Sequence, residues 1–246
     1  MSRSLPLIVA LGLLAAGCQL ERFEGGIGDC WDQQEAEESR IEVVDNPNGS
    51  GEVLKVEVHA GDVAIRADAG TGKSRAELHM TAPCRDRYAG DSEWFYGWDV
   101  LVPADYPVDG TDSFQLIGQW KQEAPGSPQI SVHLGRERGQ PVFRVKHRPV
   151  LDAATTDIAV IGFEPGEWTH LAFRIAWSTD PDVGMVDVRV NGEPVLAETF
   201  RGATSYEGES KGLKIGLYRG VGYTTNNTLY FDDLTVGTSW ALVGAG

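Results

Sequence analysis

Val53-Leu54-Lys55-Val56-Glu57-Val58 alternates apolar and polar side chains with a period of two. That is the repeat of a strand with one face buried and the other wet. Upstream, Ile41-Glu42-Val43-Val44 runs into Asp45-Asn46-Pro47-Asn48-Gly49-Ser50-Gly51, a stretch made of turn formers. Downstream, short alternating or apolar runs recur at 75–80, 94–102, 114–121, 130–134, 142–148, 169–176, 186–190, 213–218 and 229–236. Asp180-Pro181-Asp182-Val183-Gly184 and Asn191-Gly192 read as hairpin turns. No stretch holds a helical apolar period over three turns. About a dozen short strands with regular turns, and no solenoid repeat, predict one all-β domain, either a sandwich or a barrel.

Period two also sorts the side chains by face. Ala76, Leu78 and Met80 point one way, and Arg75, Glu77 and His79 the other. Leu116 and Trp120 oppose Gln115, Ile117, Gln119 and Lys121. Ser131 and His133 share a side, as do Arg144, Lys146 and Arg148, and so do Lys214, Gly216 and Tyr218. These polar faces carry cations, His, Gln and Tyr but few carboxylates, in a chain whose formal charge is −15. Such a charge speaks against a nucleic-acid binder that works by counterion release. If the strands share one sheet, they form a locally basic groove; if they do not, they present ordinary solvated cations. His79 belongs to that face, whereas His59 and His170 read as structural. No His, Cys, Asp and Glu cluster has zinc spacing. Asp180 and Asp182, or Asp232 and Asp233, could touch a structural calcium ion but read first as hairpin and strand-end residues, and no cofactor is expected.

The N-terminus carries a processing signal. Arg3 precedes an apolar run from Leu5 to Leu14, followed by Ala15-Ala16-Gly17-Cys18. A short basic start, a brief apolar stretch and small residues describe a secretory signal, too short for a spanning helix. The last four residues resemble the bacterial lipobox, with Ala15 where Leu is usual. That resemblance implies cleavage after 17, acylation of Cys18 and attachment to a membrane. Gln19 after the cysteine matches outer-membrane sorting by resemblance to enteric lipoproteins, which implies a lipid-anchored protein of the cell envelope, on its periplasmic or surface face. Residues 18–38 are polar, acidic and without period, and read as a tether, leaving 39–246 as the folded domain. Setting Cys18 aside leaves Cys30 and Cys84, an even pair in an oxidising compartment and so a candidate disulfide.

Three blocks resemble motifs of a known family. Ser74-Arg75-Ala76-Glu77-Leu78, Gln119-Trp120-Lys121 and Lys214-Ile215-Gly216-Leu217-Tyr218-Arg219 are similar, in order, to the Arg-x-Glu-Leu, Gln-x-His and Lys-x-Gly-x-Tyr motifs of jelly-roll polysaccharide lyases. The heparin lyase I and glucuronan lyase group is nearest, and the alginate lyases are more distant. The resemblance runs from about Ile41 to the C-terminus. It implies a β-jelly-roll sandwich, concanavalin A-like, with a concave basic groove for an acidic polysaccharide, in a monomer.

The chemistry it implies explains the residue types. A lyase removes the C5 proton of a uronate, alpha to a carboxylate, and expels the oxygen at C4. Donors must meet the charge that develops on that carboxylate, which by resemblance falls to Arg75 and Gln119. Tyr218 serves as acid, as base or as both, and Lys214 binds substrate and lowers the Tyr218 pKa. The family's base is the His of Gln-x-His, and here Lys121 stands in its place. That leaves four readings: Lys121 as base, His133 as base, Tyr218 in both roles, or a non-catalytic glycan-binding lipoprotein. Glu77, His79, His133, Arg144, Lys146, Arg148, Lys214 and Arg219 are the expected substrate-binding residues. A glycoside hydrolase would need two carboxylates flanking the bond, and no Glu-x-Asp-x-x-Glu pattern is present.

Overall fold

The computed structural model describes residues 19–21, 23–85, 92–108, 114–122, 126–207 and 211–244. The signal segment 1–17 and Cys18 lie outside the described residues. Among the described residues, sixteen strands account for the architecture. In chain order they are β1 (Gln19–Glu21), β2 (Trp31–Gln34), β3 (Ile41–Asp45), β4 (Glu52–Val58), β5 (Ser74–Met80), β6 (Glu93–Leu101), β7 (Gln115–Gln122) and β8 (Ile130–Glu137). There follow β9 (Gln140–His147), β10 (Thr156–Gly162), β11 (Trp168–Ala176), β12 (Met185–Val190), β13 (Glu193–Pro194), β14 (Phe200–Arg201), β15 (Lys211–Arg219) and β16 (Asn227–Gly237). A 3-10 turn spans Arg66–Asp68, and two single-turn helices are α1 (Ala82–Arg85) and α2 (Trp240–Val243).

Every pairing is antiparallel, in two sheets. One runs β13-β12-β11-β6-β16-β4-β3, with β1 added to β16 and β14 to β12; the other runs β10-β9-β8-β7-β15-β5-β2. The two stack face to face as a sandwich, one of the two architectures that the period-two pattern allows. Between them an aromatic cluster fixes the spacing. Trp98 of β6 stacks on Phe173 of β11 at 5.0 Å, and Trp120 of β7 reaches across to meet Phe173 edge-on at 5.1 Å. Gly118 faces the Trp98 ring, where a side chain would press on it. All three aromatics are fully buried. Each such side chain contributes roughly 1.5–3 kcal/mol through burial.

The segment 18–38 is not a tether, because from Gln19 onward it is built into the sandwich. β1 pairs with β16, opposite Leu234 to Val236, and β2 pairs with β5. Phe23 and Trp31 are buried, and Cys30 is disulfide-bonded to Cys84 with a Cα separation of 5.6 Å. Single apolar anchors spaced along a polar stretch show no period, so a periodicity reading passes over them. The bond links the edge strand β2 to the chain beyond β5. In the chain-entropy account, closing the 54-residue loop removes on the order of 4 kcal/mol of denatured-state freedom.

One parity assignment reverses. Ile117, expected on the groove face, lies in the core, and Leu116, expected in the core, lines the groove. The cause is a pair of β-bulges. The register of β7 shifts against β8 between Leu116 and Gly118, and against β15 between Ile215 and Tyr218. An extra residue in one strand switches every side chain before it to the other face.

Replacing both Cys30 and Cys84 by Ser is expected to cost about 2–4 kcal/mol of stability, and Trp120→Ala about 3–5 kcal/mol. Denaturant midpoints followed by tryptophan fluorescence check both.

Candidate active site

The seven-stranded sheet carries a cleft of about 1070 Å³ on its outer face. Registry places its polar side chains in cross-strand rows. In one row Arg144, His133, Leu116, Tyr218 and Arg75 stand opposite one another from β9 to β5. In the next, Lys146, Ser131, Gln119, Lys214 and His79 do the same. Lys121 stands two residues beyond Gln119 on β7, opposite Gly212, in a third row further from Tyr218. All three sequence motifs therefore converge on one face, as the resemblance implied.

Under the cleft lies a charged network. Arg75 donates from Nε to Asp68 Oδ2 at 2.5 Å, from Nη2 to Asp68 Oδ1 at 2.9 Å, and from Nη1 to Glu77 Oε2 at 3.0 Å. Gln119 Nε2 donates to Glu77 Oε1 at 2.6 Å. Tyr218 donates its hydroxyl to Asp68 Oδ1 at 3.0 Å, and its ring centroid lies 3.7 Å from the Arg75 guanidinium carbon. Phe114 packs edge-on against the same ring at 5.0 Å. Burial pushes the Tyr218 phenol up to about 12; the Arg75 charge pulls it back, and Asp68 pushes it further up. The charged groups acting on that phenol are Arg75 and Asp68, and the Lys214 ammonium has a partner in the N-terminal segment. Its Nζ donates to Gln34 Oε1 at 2.8 Å.

Gly216 has φ +139°, and a side chain there would run into the Ala76 carbonyl and the Glu77 backbone. Only glycine suits a close approach at positive φ. It stands opposite Glu77 and puts no side chain between that carboxylate and Gln119.

Two expected ligand residues do not reach the cleft surface. Glu77 is completely buried and holds Arg75 and Gln119 in place from beneath. Arg219 is also completely buried, because the residue after Tyr218 faces the other way. It donates to Ser74 Oγ at 3.2 Å, to the Thr225 carbonyl at 2.6 Å and to Asn227 Oδ1, and lies over the Tyr223 ring. The other expected positions, His79, Lys121, His133, Arg144, Lys146, Arg148 and Lys214, all line the cleft.

The far wall is cationic but partly compensated. Arg144 pairs with Asp157 and Glu137, each at 2.5 Å, and Lys146 pairs with Asp157 at 2.6 Å. Arg148 Nε is buried with no hydrogen-bond partner among the described residues. His133 Nε2 lies 2.9 Å from Ser131 Oγ, and burial together with Lys146 and Arg148 pushes its imidazole down to about 3, so it is neutral at ordinary pH. Among the described residues, eight Lys and Arg side chains line the cleft against the single carboxylate of Asp68. Counting Glu77, Glu137 and Asp157, which pair with those cations, positive charge still leads eight to four. The locally basic groove exists on the acidic protein.

Several site residues had no signal in the sequence. Asp68 sits in the 3-10 turn between β4 and β5, in no motif. Gln34 lies in the segment read as a tether, and Asp157 is on the edge strand β10. Such residues enter through loops and edges that strand parity does not address. Elsewhere, Asp180 Oδ1 accepts the Asp182 amide and Asp232 Oδ1 accepts the Asp233 amide. No group of three or more His, Cys, Asp and Glu side chains is poised for a metal among the described residues.

Several solved structures share the fold. The endo-β-1,4-glucuronan lyase of the fungus Trichoderma reesei shares the fold with a TM-score of 0.65 at 19% identity, over 93% of this chain and 97% of that one. The alginate lyase Aly36B does so with a TM-score of 0.59 at 13% identity, over 90% and 97%. A glycoside hydrolase family 131 catalytic domain from Coprinopsis cinerea gives 0.60 at 12% identity, over 90% and 88%. No curated protein sequence matches the chain. Residues 23–235, which run from Phe23 through β2 to β15 and into β16, match the polysaccharide lyase family, and this chain belongs to that family.

Proposed function

We propose that the protein cleaves a uronate-containing polysaccharide by β-elimination. The observation that carries this reading is the placement of Tyr218, Arg75, Gln119 and Lys214 side by side on the floor of a cationic cleft. A polyanion is drawn to such a cleft, and preorganised donors meet the charge that develops on its carboxylate. Arg75 is already answered by two carboxylates, so the net positive charge comes from Lys121, Lys214 and the β8–β9 wall. The uronate carboxylate lies along the Gln119 row. The sugar ring rests over Leu116, between Tyr218 and His133, whose backbones stand two strands or roughly 10 Å apart.

In the elimination a base takes the C5 proton and that electron pair becomes the C4–C5 double bond. The C4–O bond breaks, and the leaving oxygen takes the Tyr218 proton. Two side chains are placed to be the base: Lys121 by its position in the motif, and His133 by its neutral state and its place in the Tyr218 row. Hydrolysis by paired carboxylates finds no support, since the one carboxylate lining the cleft among the described residues is bonded to Arg75 and Tyr218. The lipobox-like segment supports attachment through Cys18, at the outer membrane. With β1 beginning at Gln19, the domain would sit directly at the bilayer surface rather than on a tether.

The test uses soluble protein starting after Cys18, offered glucuronan, alginate, heparin, heparan sulfate and hyaluronan. Ultraviolet absorbance of the unsaturated uronate is expected to rise on at least one polymer, and Tyr218→Phe to lower the rate by about 100-fold or more. Of Lys121→Ala and His133→Ala, the variant showing a comparable loss in kcat identifies the base. A folded protein that is retained on one of these polymers and cleaves none of them would establish a binding protein instead.

A further inference from the structure

Asp68 is only 2% exposed, although it comes from a loop turn and not from the sheet. Its backbone is pinned there: its amide donates to the Ile65 carbonyl at 2.9 Å, and its own carbonyl accepts the Thr71 amide at 3.0 Å and the Thr71 hydroxyl at 2.7 Å. Its carboxylate closes a three-membered arrangement. It holds the Arg75 guanidinium by two bonds, the guanidinium lies on the Tyr218 ring, and the Tyr218 hydroxyl donates back to the carboxylate. Ionising that phenol would set two negative oxygens 3.0 Å apart in a buried site, where like charges repel strongly. The charged groups facing Tyr218 are Arg75 from the neighbouring strand β5 and Asp68 from the turn above it.

We propose that Asp68 is a positioning residue that keeps Tyr218 protonated and aims its hydroxyl, and so makes Tyr218 the acid of the elimination and not its base. The proposal rests on the lyase reading above. Its proton balance is simple. Tyr218 gives its proton to the leaving oxygen, and the phenolate formed is compensated by the Arg75 guanidinium against its ring. Solvent then reprotonates the phenolate, while the base that took the C5 proton releases it. A tyrosine serving as base would need the opposite setting, a neighbourhood that favours phenolate.

Tyrosinate absorbance, taken as the difference between wild type and Tyr218→Phe, isolates the titration of Tyr218. In wild type it is expected well above the ordinary tyrosine range, near 12. In Asp68→Asn it is expected to fall by about one unit or more, a tenfold weaker hold on the proton. On a cleaved polymer, Asp68→Asn is expected to lower kcat about 10- to 100-fold with KM little changed and the alkaline limb of the rate moved to lower pH. In a Tyr218→Phe background the same change is expected to cost nothing further. The proposal falls if Tyr218 titrates at its ordinary value in wild type, which needs no variant at Asp68 to fold. It also falls if Asp68→Asn leaves that titration in place, or if its loss of rate adds in full to that of Tyr218→Phe. Coupling of Tyr218 to Asp68 without cleavage of any polymer would sink the lyase reading and the acid role with it, while the pairing itself stood. Cleavage without coupling would sink only this inference.

Discussion

A guanidinium taken almost completely out of water is stable only where its charge is answered locally. Arg75, 6% exposed, meets that demand through Asp68 on one side and Glu77 on the other, and much of the site follows from it. Glu77, completely buried, extends the constraint to Gln119, two strands away across Gly216. Asp68 extends it to Tyr218. A loop turn, β5, β7 and β15 are thereby tied together by one charge, and the Arg75, Gln119 and Tyr218 side chains acquire fixed positions without any of them needing to be rigid alone. Removing one partner of such a buried set would leave an uncompensated charge, which is more damaging than the loss of a single hydrogen bond.

The same economy appears in how the protein separates its charges. The chain is strongly acidic, yet among the described residues eight cations line the cleft and four carboxylates answer them. At physiological ionic strength the field of the remaining acidic surface is screened within about 8 Å. A polyanion entering the cleft therefore responds to the local cations more than to the net charge. Asp157 and Glu137 moderate the far wall and hold Arg144 and Lys146 in defined positions.

The sandwich beneath supplies a stiff support. Trp98, Phe173 and Trp120 interlock between the sheets, so that Gln119 and Lys121 stand on either side of an anchored residue of β7. Interiors packed at this density transmit displacement instead of absorbing it. The bulges at β7 and β15 re-aim side chains at the very level where Tyr218 and Leu116 meet the cleft.

The all-β class was legible in the sequence because alternation is a local property of consecutive residues, and it sorted Arg75, His79, Gln119, His133, Lys146, Lys214 and Tyr218 correctly to one face. The motif resemblance added the order in which those strands contribute. What a local pattern cannot express is registry between strands, and there the expectations failed. A bulge exchanged Leu116 and Ile117, burial removed Glu77 and Arg219 from the cleft surface, and Lys121 came to rest two rows away from Tyr218. Nor does a periodic pattern register Phe23, Trp31, Gln34 or Asp68, each of which acts singly and from outside the regular strands. The sequence by itself determined that the chain is all-β and that several of its strands carry cations on one parity, since side-chain alternation and composition are written along the chain. Only the tertiary structure decided which of those side chains touch, because hydrogen bonds, ion pairs and the protonation state of Tyr218 depend on distances between residues as much as 180 positions apart.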